Sequence, residues 1–350
     1  MKRSAYSLTS SEWKENLLNW EESSHVYPFL LDGLYKDRGI WDKHLSKNLK
    51  SKIEINYELE LPTLVNLQKS QDGTTKFLVR FSDGLEVETV LIPFHKRYTV
   101  CLSSQVGCAM NCSFCYTGTQ GFKRNLTSGE IVSQYLLARN WLKVHDLSSP
   151  QPSIVFMGQG EPLHNLDEVK KAILILNDSK LIGVGIRQMT LSTAGYLPGL
   201  QRIKDFPQVN FALSLHSPFQ NERSKLIPIN ENYHLEDVMR ALKDIPLLPR
   251  QFITFEYLLI KNFNMTDEHV EGLTHLLNGQ KAIINLIPFN PFPNSTWERP
   301  DETEIENFKD KLVKNKLRVM LRRTKGSDIL AACGQLKVEK LARTKNAGSR

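Results

Sequence analysis

Three cysteines crowded into Cys108-Ala-Met-Asn-Cys112-Ser-Phe-Cys115 carry the densest chemistry in this sequence. Soft thiolates at this spacing allow one compact loop to wrap an iron–sulfur cluster or a zinc ion. A closed zinc site takes four ligands, and no further Cys or His stands at the usual short spacing; His95 and His145 are awkwardly placed. A four-iron cubane held by only three cysteines keeps one iron open to another ligand, and that opening would be the functional point. Downstream, Gly158-Gln159-Gly160-Glu161-Pro162 follows a strand-like run, where glycines let backbone approach a bound molecule, although such a turn is more often only a turn. The other two cysteines, Cys101 and Cys333, stand apart and in isolation read as inert core residues. Glu88 reads as a solvent-facing or paired carboxylate, and His216 as a core histidine with its ring nitrogens satisfied.

Something must position these groups. The chain of 350 residues is 41% hydrophobic and 24% charged, enough for one large domain with smaller attachments. Residues 11–60 read as short helices, with Trp13, Leu17, Leu18 and Trp20 and then Phe29, Leu30, Leu34 and Tyr35 at roughly helical spacing. Between 63 and 100 the pattern turns to antiparallel strands, Phe77 to Phe81 and Val87 to Ile92, around an Asp83-Gly84 turn. Beyond residue 100, apolar runs beginning at Ile154, Met189, Phe211, Phe255, Ile283 and Val319 alternate with helical patterns. Thr127 and Glu130 form a capping-box pair at the head of one such helix. This alternation predicts βα units with parallel strands, in a barrel or an open α/β sheet, and chemistry at the strands' C-terminal ends.

Five cysteines without an export signal argue against a secreted disulfide framework. No apolar run approaches membrane-spanning length and the opening Met-Lys-Arg-Ser-Ala-Tyr-Ser-Leu lacks a signal's apolar stretch, so a cytoplasmic protein is expected, with no membrane partner. The net charge of +7 suits a polyanionic partner, but equally a well-solvated surface. Two clusters tilt the balance toward nucleic acid: Lys43, Lys47, Lys50 and Lys52 early, and Arg318, Arg322, Arg323, Lys325, Lys337, Lys340, Arg343 and Lys345 late.

The cysteine pattern, with Phe114 before its last member, resembles the signature of radical S-adenosylmethionine (SAM) enzymes, and Gly158 to Pro162 resembles their element that meets the SAM amino group. More closely, the chain resembles the RlmN and Cfr family of radical SAM RNA methyltransferases, nearer RlmN, from about residue 85 to 340 and thinly before that. The resemblance rests on Val87-Glu-Thr-Val90, Cys101-Leu-Ser-Ser-Gln-Val-Gly-Cys108, Gln120-Gly-Phe-Lys-Arg-Asn-Leu126, Thr190-Leu-Ser-Thr193, Ser214-Leu-His216, Asn290-Pro-Phe-Pro293 and Ala331-Ala-Cys333-Gly-Gln335.

The resemblance implies an α/β fold: a partial (β/α)6 barrel over 101–335, a helical, RNA-gripping module over 1–62, a short antiparallel β extension over 63–100 and a basic tail over 336–350. It implies a 4Fe-4S cluster on Cys108, Cys112 and Cys115, and SAM against Gly160, Glu161, Ser192, Ser214, Leu215, His216 and Asn290. Cys333 matches the cysteine that one SAM methylates, Cys101 its resolving partner, and Glu88 a carboxylate assigned to proton abstraction. The implied reaction is methylation of adenosine carbon 2 in 23S ribosomal RNA, with transfer RNA as a further substrate, through an S-methylcysteine and two SAM molecules. An electron donor such as flavodoxin and a monomeric enzyme are expected.

Carbon-8 methylation as in Cfr, a radical SAM enzyme acting on another RNA, a protein or a small molecule, and a noncatalytic zinc-dependent RNA-binding module are the competing readings. Two residues depart from the family pattern: Gln159 stands where methionine is usual, and Tyr116 where a small residue is common.

Overall fold

The computed structural model describes residues 2–338, apart from 37, 38, 96, 146 and 148–150. Lys340, Arg343 and Lys345, counted toward the late basic cluster, therefore lie outside the described residues. Near the N-terminus, β1 (Arg3–Ser4) precedes four helices, α1 (Ser10–Asn19), α2 (Tyr27–Tyr35), α3 (Gly39–His44) and α4 (Lys47–Asn56), and then β2 (Tyr57–Glu58), which pairs back onto β1 in parallel. Trp13, Leu17, Leu30, Leu49 and Ile53 turn inward at helical spacing and join the same apolar core as the main sheet. Leu18 follows Leu17 by one residue, so it points away from that face and is 75% exposed.

A single ten-stranded sheet organises the rest. Its antiparallel part runs through β3 (Thr63–Lys69), β4 (Thr75–Arg80), β5 (Glu86–Phe94) and β6 (Arg97–Cys101). The turn between β4 and β5 closes where Asp83 Oδ1 accepts the Leu85 N–H at 3.0 Å and Gly84 takes φ +81°. After β6, the short strands β7 (Gln105–Val106) and β8 (Arg124–Asn125) pair with each other and pinch off the segment between them. Then α5 (Ser128–Val144) leads to β9 (Ser153–Phe156), α6 (Leu166–Asn177) to β10 (Met189–Thr193), and α7 (Leu197–Leu200) to β11 (Asn210–Ser214). α8 (Gln220–Leu226) and α9 (Leu235–Leu242) precede β12 (Ile253–Leu259), α10 (Asp267–Leu276) precedes β13 (Ala282–Pro288), and α11 (Glu302–Lys314) precedes β14 (Val319–Leu321).

β6 and β9 to β14 pair in parallel in sequence order, as helical crossovers demand. β6 is the hinge of the design: antiparallel to β5 on one side and parallel to β9 on the other, it joins the β extension to the parallel sheet without a break. Cys101, its last residue, lies opposite both Val90 and Val155. The head of α5 is capped reciprocally, Thr127 Oγ1 accepting the Glu130 N–H at 3.3 Å and Glu130 Oε2 accepting the Thr127 N–H at 2.8 Å. α5 also receives the N-terminal module, for Arg139 donates to the Tyr35 carbonyl, and Lys171 of α6 meets Glu12 of α1 at 2.7 Å. Among the described residues no helix is long and apolar enough to cross a membrane.

Gly107 joins β7 to the cysteine triplet at φ +74°, and a Cβ there would stand 1.7 Å from the Gly121 carbonyl oxygen. Because the obstacle is backbone, relief requires moving the loop. Gly107→Ala is expected to destabilise the metal-free protein by roughly 3 kcal/mol in urea unfolding and to abolish iron binding by the triplet. Wild-type stability and iron uptake would remove Gly107 from the loop's geometry.

Candidate active site

Apart from Glu88, within the antiparallel strand β5, the candidate groups lie at or beyond the C-terminal ends of the parallel strands. The triplet sits in the segment pinched off by β7 and β8, coiled so that the Cys115 N–H donates to the Cys112 carbonyl at 3.1 Å and the Gly118 N–H to the Cys115 carbonyl at 3.1 Å. Phe114 stands edge-on to His216 at 4.6 Å between ring centroids, fixing the loop against the end of β11. The three sulfurs, with Gly160, Glu161, Ser192, Ser214, His216, Glu256, Arg322 and Cys333, line one cavity of about 160 Å³.

Each sulfur opens partly onto that cavity while the protein encloses it on its other sides. Burial pushes the Cys108 thiol up to about 12 and the Cys112 and Cys115 thiols upward as well, and each feels another thiol of the triplet or the nearby Cys333. As bare thiolates they would repel one another in a poorly solvated space. Iron removes the conflict, because cluster binding replaces the thiol protons with metal charge. Among the described residues no three His, Cys, Asp or Glu side chains converge on a single-ion position. Three soft thiol donors lining one cavity are the donor chemistry that an iron–sulfur cluster takes.

The residues matched to SAM divide into two sets. Gly160, Glu161, Ser192, Ser214 and His216 line the triplet's cavity. Gly160 takes φ +102°, and a Cβ would lie 2.8 Å from the Gln105 nitrogen, so the turn needs glycine for packing as well as for any ligand. The carboxylate of Glu161 accepts the Ala194 N–H at 2.7 Å and the Leu163 N–H at 3.0 Å, tying the turn after β9 to that after β10. Nδ1 of His216 accepts the Leu258 N–H at 3.0 Å, which leaves the proton on Nε2, and burial pulls its pKa down to about 3, so the ring is neutral. Leu215 and Asn290 lie apart: Leu215 is in the main apolar core, and Asn290 donates to the Cys333 carbonyl at 3.1 Å and accepts from Thr324 Oγ1 at 3.0 Å.

Cys101 and Cys333, far apart in sequence, line a second cavity together with Arg322, while Cys333 also reaches the triplet's cavity. Burial pushes the Cys101 thiol up to about 12, aided by the nearby Cys333 and opposed by the Arg322 guanidinium. Arg322, counted in the late basic cluster, directly follows β14 and lines both cavities. Its guanidinium is held protonated chiefly by Cys333, which it also hydrogen-bonds, and then by Glu256 and Cys101. Glu256, on β12, accepts from Asn285 at 2.8 Å, and burial raises its carboxyl. The sequence marks neither Glu256 nor Arg322 as a site residue; a carboxylate in the middle of the apolar run of β12 and an arginine just after β14 are the available signals.

Glu88 is buried rather than solvent-facing. It pairs with Lys76 at 2.9 Å and accepts the Lys337 N–H at 2.8 Å, so it grips the segment that carries Cys333. Both departures from the family pattern serve the same segment. Gln159, fully buried, accepts the Glu88 N–H at 3.0 Å through Oε1 and donates at 3.0 Å to Gln120 Oε1, which accepts the Val338 N–H at 3.4 Å. Tyr116 donates its N–H to the Gly334 carbonyl at 2.6 Å, and its ring lies between Phe292 and the Lys337 ammonium, 4.3 Å from the latter. Thr117 Oγ1 adds a bond to the Leu336 carbonyl at 2.6 Å. The segment bearing Cys333 is therefore docked directly on the segment bearing Cys115.

The early lysines are not uniformly free, for Lys50 pairs with Asp42 at 3.0 Å and Lys52 with Glu22 at 2.8 Å, whereas Lys43 and Lys47 are exposed. Among the late ones, Arg318 stacks over Phe252 at 4.5 Å.

Comparison with known proteins gives a consistent result. Residues 102–276 match the radical SAM superfamily. The chain is 42% identical over 297 residues to a protein of Syntrophobacter fumaroxidans named dual-specificity RNA methyltransferase RlmN, covering 84% of this chain and 85% of that one. A protein of the same name from Nitratiruptor is 38% identical over 344 residues, covering 94% and 96%. The crystal structure of a radical SAM methyltransferase from Sphaerobacter thermophilus superposes with a TM-score of 0.88 at 35% identity, covering 96% of this chain and all of that one.

Gln159→Met keeps the apolar volume but leaves the buried Glu88 N–H without its acceptor, at a cost of about 2 kcal/mol. Amide exchange at 334–338 and alkylation of Cys333 are expected to quicken by roughly tenfold or more, the factor equivalent to loosening by 1.4 kcal/mol or more. Unchanged exchange and labelling would show that the docking does not depend on Gln159.

Proposed function

The chain belongs to the radical SAM superfamily and, within it, to the RlmN family of RNA methyltransferases, and on that premise we propose that it methylates carbon 2 of an adenosine in 23S ribosomal RNA, and of an adenosine in transfer RNA. The observation that carries this reading is the position of Cys333, which lines one cavity with the triplet and another with Cys101. A radical enzyme acting on some other substrate has no need for a second sulfur pair beside its cluster loop.

An adenine ring C–H is too weakly acidic and too unreactive for polar methyl transfer. When bound, a 4Fe-4S cluster on Cys108, Cys112 and Cys115 with SAM supplies one-electron cleavage of a sulfonium bond and thus a 5′-deoxyadenosyl radical. The chain's own residues set what that radical can reach. Cys333 first takes the methyl group of one SAM, giving up its thiol proton and releasing S-adenosylhomocysteine, while its sulfur is hydrogen-bonded to Arg322. With that radical supplied by a second SAM, the S-methyl carbon would give up a hydrogen atom to it and bond to the adenine ring, tethering RNA to Cys333, and the adduct's unpaired electron would return to the oxidised cluster.

Glu88 is the carboxylate assigned to take the ring proton. Its bonds to Lys76 and to the Lys337 N–H hold it against the Cys333 segment, and loosening of that segment would free one of its oxygens. Cys101 next attacks the Cys333 sulfur, which breaks the sulfur–carbon bond, releases methyladenosine and leaves a disulfide. A reductant returns both thiols, and a donor of the flavodoxin kind recharges the cluster. The exposed Lys43 and Lys47 of the N-terminal module add to the RNA-facing charge.

Cys333→Ala is expected to abolish RNA methylation while leaving SAM cleavage intact, read by nucleoside mass spectrometry and by 5′-deoxyadenosine release; ordinary turnover by this variant would refute the carrier role. Cys101→Ala is expected to accumulate a covalent RNA adduct on Cys333 under reducing turnover, visible as a protein band shifted by RNA and collapsed by nuclease. Absence of any adduct would remove Cys101 from the release step.

A further inference from the structure

Arg223, on α8, is fully buried, and its guanidinium contacts only neutral oxygens: Asn230 Oδ1, the Ala194 carbonyl at 2.6 Å and the Ser214 carbonyl at 2.9 Å. Its Nε has no hydrogen-bond partner, and no carboxylate figures among the charges acting on it. A buried charge without a counter-ion is among the most costly arrangements a core can hold. Its surroundings point to where that counter-ion belongs. The helix carrying Arg223 is bonded to the middle of the triplet loop, the Ser113 N–H to the Leu226 carbonyl at 3.0 Å and Ser113 Oγ to the Lys225 carbonyl at 2.9 Å. Cys112 packs in the same apolar group as Leu226 and Ile227. Arg223 does not line the cavity the triplet shares with the SAM-matched residues, so it lies behind the cysteine loop rather than in the ligand's path.

We propose that Arg223 is the fixed counter-charge of the cluster, a positioning residue for electrons that raises the cluster's reduction potential without touching substrate. This rests on the reading that Cys108, Cys112 and Cys115 hold a 4Fe-4S cluster. Three thiolates give that assembly a net negative charge, and reduction adds one more. A cation in the low-dielectric interior therefore favours the reduced state more than the oxidised one. Arginine suits the task, since it stays protonated when buried and lysine more readily does not.

The test is a spectroelectrochemical titration of the anaerobically reconstituted full chain, without SAM or RNA, on wild type, Arg223→Met, Arg223→Lys and Asn230→Asp. At the wild-type midpoint, Arg223→Met is expected to lower the reduced-to-oxidised ratio at least tenfold, about 59 mV for a one-electron couple. Asn230→Asp keeps the guanidinium but sets a carboxylate against it, and the ratio should fall in the same direction. Arg223→Lys should stay within about threefold of wild type, because charge is retained. Full iron content with an unmoved potential in both Arg223→Met and Asn230→Asp would overturn the proposal, as would failure of both variants to fold without metal, which would make Arg223 a hydrogen-bonding hub only. A wild-type chain that takes up no iron or sulfide would instead overturn the cluster reading beneath it.

Discussion

A thiol enclosed by protein keeps its proton unless positive charge stands beside it, and the arrangement of this molecule turns on how that condition is met at five sulfurs. Around Cys108, Cys112 and Cys115, Arg322 is the one lysine or arginine among the described residues that line the cavity, and iron is the charge that their thiol donors suit. Around Cys101 and Cys333 the neighbouring charge is Arg322, which opposes but does not overcome the burial that pushes the Cys101 thiol up. Two electrostatic neighbourhoods therefore lie side by side, one suited to electron transfer and one to methyl transfer, with Cys333 at their border.

The sheet makes that border possible. Seven parallel strands deliver their C-terminal ends to one rim, and short polar bonds lock the turns there: Glu161 joins two of them, and Asn264 holds the end of β12 by donating to the Leu258 carbonyl at 2.6 Å and to that of His216 at 2.8 Å. Glu161 and His216 thus serve the frame while lining the cavity, and the neutral imidazole adds no charge to the site. Such preorganisation holds the groups lining the cavity in fixed positions before any ligand binds.

Docking of the Cys333 segment against the triplet loop links the two neighbourhoods mechanically. The bonds from Tyr116 and Thr117 to Gly334 and Leu336 run between chain segments remote in sequence, and Gln159 with Gln120 extends them to Glu88. Two hydrogen bonds thus join the triplet loop directly to the segment carrying Cys333. Gln159 and Tyr116 look like isolated departures from a family pattern in the sequence, yet both belong to this connection.

Local features were legible residue by residue. The cysteine spacing lies within one loop, the runs at Met189 and Val319 became β10 and β14 almost to the residue, and the capping box at Thr127 formed as its residue types require. In each case the interacting groups are a few residues apart, so chain geometry alone brings them together. What only the tertiary structure decided lies across long separations: that β6 bonds to strands of both senses, that Arg322 faces two sulfurs instead of solvent, that Leu215 and Asn290 stand outside the triplet's cavity, and that Arg223 is buried behind Cys112. Periodicity says which face of an element is apolar, but not which other element will cover it, and the charges that govern these thiols come from elements that meet them only once the sheet has curved and its strand ends have converged.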